Sequence, residues 1–134
     1  MKWSLIIVLS MFGLAMGLLT VSVIPSETEP FFWLAVFVVC AFVIARQCAT
    51  RRFLHGLALG LVNSVWVTGS HVLFFSSYIA NHAKEAAMMT SMPMPDSPKL
   101  MMTLTGPVIG LVSGVVLGLF ALLAGLVVKP RGTI

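Results

Sequence analysis

Charge is what this chain has least of. Only 9% of its 134 residues are Asp, Glu, Lys or Arg, where a soluble domain carries about 25%. The four acids, Glu27, Glu29, Glu85 and Asp96, all fall outside the long apolar runs. The chain therefore offers no buried carboxylate pair for acid–base chemistry and no mid-membrane acid for proton-coupled antiport. Cysteine is scarce too: Cys40 and Cys48 stand eight residues apart on one predicted helix, too far to bridge, so there is no disulfide framework. No lysine follows the glycines at the spacing of a phosphate-cradling loop. His55, His71 and His82 all belong to the third helical segment, which leaves no facing pair for haem. No basic patch interleaved with aromatics points to nucleic acid. No nucleophile–base–orienter set is visible, and the chain reads as non-enzymatic.

What is abundant is apolar surface. Hydrophobic residues make up 59% of the chain and the mean hydropathy is +1.06. A membrane-spanning helix needs about 20 predominantly apolar residues, and four runs approach or exceed that length, with spans at approximately 3–24, 31–48, 53–80 and 100–128. The expectation is an all-α membrane protein: one integral domain over 1–134, folded as a four-helix transmembrane bundle. The last two spans exceed a bilayer and are expected to extend outward as a hairpin. The first run has only Lys2 before it and no A-x-A site after it, so it reads as a retained helix rather than a cleaved leader. No lipidation motif is evident.

Lys2, Arg46, Arg51, Arg52, Lys129 and Arg131 flank the two termini and the second connection; only Lys84 and Lys99 lie on the other side, with all four acids. The positive-inside rule then puts both termini in the cytoplasm (N-in, C-in), in what reads as a bacterial inner membrane. The net charge of +4 is this topology signal.

Local signals place the turns. In PSETEP, Ser26 and Glu29 have capping-box spacing, and Pro30 suits a first helical turn. Phe31, Phe32 and Trp33 follow as an aromatic belt. The connection at 81–99 is rich in Met and Pro. Pro107 predicts a kink or break near the start of the fourth helix. The second helix, almost uniformly apolar, is expected to have the most lipid contact.

Small and polar residues recur on the other three helices. Gly13 and Gly17 mark the first; Gly106, Gly110, Gly114 and Gly118 recur every fourth residue on the last. On the third, Gly56, Gly60, Asn63, Val67, Ser70, Phe74, Ser77 and Asn81 step by 4 and 3 as a heptad seam. Lipid tails are as apolar as leucine, so membrane helices associate through close backbone approach at small residues and through interhelical hydrogen bonds. The seam is accordingly expected to bond across to the first and fourth helices. Beside it runs a second row, Ser64, His71, Tyr78 and Glu85, spaced by sevens. An ionisable residue such as His71 within a span is a functional candidate, and Asn63, Ser64, Ser70, His71, Tyr78 and Asn81 form the candidate polar membrane site. His55, beside the arginines, is expected to be an ordinary interfacial residue.

Six of the nine methionines lie between Met88 and Met102. Thioether sulfur is a soft donor that suits Cu(I), so His82, Met88, Met89, Met92 and Met94 form a candidate external copper site; the rival reading is methionine as gap-filler. No other cofactor is expected. The leading functional expectation is a module that acts by helix packing in the bilayer, as a homo-oligomer or a small subunit of a membrane complex, using the glycine face of the fourth helix. The alternatives are a transporter of a small solute, proton or ion along the polar face of the third helix, and copper handling by the methionine-rich connection.

Overall fold

The computed structural model describes residues 1–25, 27–89 and 96–131. Its described elements are all helical: α1 (Trp3–Ser22), α2 (Glu29–Gln47), α3 (Arg52–Leu73), α4 (Phe75–Asn81), α5 (Ala83–Met89) and α6 (Pro98–Val127). Four of them, α1, α2, α3 and α6, are long and apolar enough to cross a membrane. Among these, α2 is the least buried. The expected capping box of Ser26 lies outside the described residues. Glu29 instead accepts the indole N–H of Trp33 one turn on, at 3.1 Å.

Two expectations about helix continuity change. The third apolar run is not one helix to Ala80: it ends at Leu73, and Phe74 sits at φ −107°, ψ 40°, outside the helical region. The ladder resumes with the Tyr78 N–H donating to the Phe74 carbonyl. The fourth run does the opposite. It continues unbroken through Pro107 as a 30-residue helix, about 45 Å long at 1.5 Å per residue. Proline removes one donor from the ladder, a loss that a long helix braced by neighbours withstands.

The helix α3 is the hub. It packs most extensively on α6 and next on α1, while α2 rests on α6 and barely touches α1. Contacts pair Lys2 with His55 and Thr20 with His71, so α1 and α3 run parallel. Gly56 faces Gly118 and Gly60 faces Gly114, so α3 and α6 run antiparallel.

Glycine makes the α3–α6 contact possible. A Cβ on Gly56 would stand 2.5 Å from the Gly118 Cα, and one on Gly114 would stand 2.6 Å from the Leu57 carbonyl oxygen. The two backbones therefore meet with no room for a side chain. Further along, Ser64 fills the space over Gly110 and Thr68 the space over Gly106. On the opposite side of α3, Asn63 covers Gly13, while Val67 and Ser70 cover Gly17.

The heptad seam is thus divided. Gly56 and Gly60 face α6, Asn63, Val67 and Ser70 face α1, and Phe74, Ser77 and Asn81 are exposed beyond the break. A straight helix drifts about 20° per heptad from a strict seven-residue repeat, so one seam cannot keep one partner over four turns. The Gly106–Gly118 face, expected as an assembly surface, is occupied by α3 of the same chain.

Arg46, Gln47, His55, Lys2 and Arg131 meet at one end of the helices. The Lys2 ammonium donates to the Gln47 carbonyl, and the Arg131 N–H donates to the Arg46 carbonyl at 2.7 Å. Near this end lie the most enclosed apolar side chains, including Ile6, Cys40, Ile44, Ala45, Leu117 and Ala121. Both cysteines are free and buried.

Candidate functional site

At the opposite end the helices diverge. A cavity of about 500 Å³ lies between α2, α3 and α6, with Tyr78 of α4 and Glu85 and Met88 of α5 at its far side. Glu29, Trp33 and Phe37 line it from α2, residues from Gly60 to His71 from α3, and residues from Pro98 to Ser113 from α6. Its floor lies where the backbone contact of α3 and α6 gives way to side chains: beyond Gly60, Ser64 stands over Gly110 and Thr68 over Gly106.

Two hydrogen bonds hold the α1 side of this region. The Trp66 indole N–H donates to the Ser10 hydroxyl at 3.1 Å, and Ser10 donates onward to the Ile7 carbonyl. Thr20, fully buried, lies with its hydroxyl 2.8 Å from His71 Nε2. His71 stacks on Tyr78 with ring centroids 4.4 Å apart, and Tyr78 stacks on His82 at 4.1 Å. Seven residues on a straight helix rise about 10.5 Å, so the first stack depends on the break at Phe74. The second joins residues one turn apart, which are ordinary helix neighbours.

The remaining sequence candidates divide clearly. Asn63, Ser64, His71 and Tyr78 line the cavity. Ser70 faces α1, and its hydroxyl donates to the Trp66 carbonyl of its own helix at 2.8 Å. Asn81 is exposed and donates to the Ser77 carbonyl. The interhelical bonds are thus carried by Trp66, Ser10, Thr20 and His71 rather than by the seam as a whole. Asn63 is 4% exposed, and neither its amide nitrogen nor its oxygen has a hydrogen-bond partner.

Of the copper candidates, Met92 and Met94 lie outside the described residues, and Met89 falls in α5. Met88 lines the cavity, together with Met101 and Met102. His82 is buried; its Nδ1–H donates to the Tyr78 carbonyl at 2.8 Å, and its Nε2 has no partner. No group of three His, Cys, Asp or Glu side chains suited to a metal occurs among the described residues. One buried, unpartnered nitrogen and adaptable thioethers do not define a coordination geometry.

His55 has a larger structural role than its sequence position suggests. It is buried, its Nδ1–H donates to the Arg51 carbonyl at 2.7 Å, and its Nε2 accepts the Lys2 backbone N–H at 3.0 Å. That pairing requires the neutral ring with the proton on Nδ1. It closes the turn around Arg51, which adopts the left-handed conformation at φ 55°. The i, i−4 spacing to Arg51 was the available signal; the contact with Lys2, 53 residues away, left none.

Comparison with protein-family models, with curated proteins and with solved structures gives no match to this chain.

Proposed function

We propose that this is a non-enzymatic integral membrane protein that holds a small molecule in the cavity between α2, α3 and α6. In this reading the chain is a four-helix bundle with both termini cytoplasmic. The cluster of Lys2, Arg46, Arg51, Arg52 and Arg131 marks the inner end and the cavity lies toward the outer leaflet. The observation that carries the proposal is the cavity itself. Its volume, about 500 Å³, falls within the range of small-molecule sites, about 300–1,000 Å³, and its mainly apolar wall holds a few convergent polar groups, as such sites do. Binding and passage are both open to such a site, and the polar face of α3 supports a path to it from outside. Assembly through the α6 glycines has less support, since that face is already filled by α3.

Native mass measurement on protein extracted gently from its own membrane tests the proposal. The expected result is a bound small molecule that is lost when Thr105→Phe fills the cavity. Solute flux in proteoliposomes, with His71→Ala as control, separates carrying from holding. A bare chain in both forms, with flux equal to that of protein-free vesicles, would sink the reading.

A further inference from the structure

The lining of the cavity is rich in electron-pair donors and poor in positive charge. Glu29 and Glu85 bring carboxyl groups to it, and no lysine or arginine lines it among the described residues. Lys99, next to the lining residue Pro98, holds its ammonium over the Phe75 ring at 5.6 Å from the centroid. Three of the lining hydroxyls tell the same story. Ser64 donates to the Leu61 carbonyl, Thr105 to the Met101 carbonyl and Ser113 to the Ile109 carbonyl, all on their own helices. With the proton committed, each of these hydroxyls has only oxygen lone pairs left to offer. Around them stand the aromatic rings of Trp33 and Phe37, whose faces attract cations through the ring quadrupole; the faces of Tyr78 are covered by His71 and His82.

Asn63 borders the cavity floor, but its amide is turned toward α1 and packed on Gly13, with both amide atoms buried and unpartnered. It shapes the floor, and the sign of the ligand's charge is set by the groups above it.

We propose that the cavity between α2, α3 and α6 selects an apolar organic cation, seated beside Glu29 and Trp33 at its outer part and reaching toward the Ser64 hydroxyl at its floor. This inference rests on the binding function proposed above and adds the sign of the ligand's charge. The apolar walls take the body of the ligand. The carboxylate, the ring faces and the hydroxyl oxygens take its charge. An anion of the same shape meets the same walls and is repelled by each of these groups.

Tetraphenylphosphonium and tetraphenylborate have nearly one shape and opposite charge, which makes them the test pair. Equilibrium binding of each is measured to the full chain in nanodiscs of neutral lipid, with empty nanodiscs giving the background from partitioning. The expected result is saturable binding of the phosphonium alone, weakened about tenfold by Glu29→Gln, in line with the loss of one charge contact of ordinary strength. Glu29→Gln keeps an oxygen to accept the Trp33 N–H, so it tests charge rather than packing, and an unchanged melting temperature verifies this. Saturable binding of both ions, abolished for both by Thr105→Phe, overturns cation selection while leaving the cavity as a binding site. Saturable binding of neither ion also overturns it, and the native mass then decides separately whether the cavity holds a neutral molecule. Phosphonium binding that Glu29→Gln leaves unchanged removes Glu29 from the proposal and overturns it as stated.

Discussion

At the scale of single residues, the α1–α3 contact contains one group that works against the fold. The Asn63 amide has lost water and gained no partner. Leucine has the same number of side-chain heavy atoms and the same branching, without the polar atoms. Asn63→Leu is therefore expected to raise the stability of the protein by about 1–2 kcal/mol, read from thermal unfolding in detergent. A stability unchanged or lowered by the same substitution would mean that the amide is satisfied. Thr20 and His71 give a complementary case, in which the polar pair is closed. Thr20→Val should cost about 0.6 kcal/mol, the average for interhelical hydrogen bonds in membranes. It should also loosen the stack of His71 on Tyr78. Tyr78 is the only tyrosine in the chain, so a tyrosine-labelled sample reports on that stack through one ring. Its resonances should shift toward their unstacked positions in Thr20→Val, and identical spectra would refute the coupling.

At the scale of the helices, glycine position decides what a side chain does. Gly60 and Gly114 face one another across the α3–α6 contact, and a Cβ on Gly60 would stand 2.5 Å from the Gly114 nitrogen. Gly60→Leu and Gly114→Leu should each separate the two helices and abolish folding of the single chain, seen as loss of a cooperative thermal transition. Gly69 is the internal control. Nothing lies within 4 Å of the Cβ it would gain, so Gly69→Ala should be tolerated and should stabilise α3 by about 0.5–1 kcal/mol. Equal damage at positions 60 and 69 would show that helix contact is not what the glycines serve.

The same helices show what was legible beforehand. Four helices long and apolar enough to cross a membrane could be read because an apolar run of that length is a one-dimensional property, and the glycine rows because every-fourth-residue spacing is another. The partner of each row was not legible, since Gly114 carries no mark that distinguishes α3 from a second copy. The break at Phe74 has neither proline nor glycine at the site to announce it. The cavity was the least accessible feature of all. Its lining runs from Glu29 to Ser113, and its shape is set by where two helices part rather than by any local pattern. Asn63, Ser64, His71 and Tyr78 were identifiable as unusual residues within an apolar run; Trp33 was legible only as part of an aromatic belt, and Thr105 and Ser113 looked like ordinary members of apolar or small-residue runs.

At the scale of the whole molecule, sidedness is the test on which the placement of the cavity depends. With Cys40 and Cys48 replaced, single cysteines at Ala49 and at Ser97 should be labelled by a membrane-impermeant reagent from opposite faces of sealed vesicles. Residue 49 belongs to the basic end and residue 97 precedes α6 at the other. Labelling of both from the same face would remove the four-span topology and, with it, the outward position of the cavity.

The central position of α3 also bears on how the chain is made. The two helices synthesised first, α1 and α2, have almost no contact with each other. Until α3 leaves the ribosome, Gly13 and Gly17 have no surface to close on; until α6 follows, Gly56 and Gly60 have none either. In the bilayer placement proposed above, the nascent protein passes through two stages with bare backbone grooves turned toward lipid, and an insertion factor or a membrane protease would meet it there first. Slowing translation between α3 and α6 would prolong the second of these stages and should cut the yield of intact protein more than an equal pause after α6.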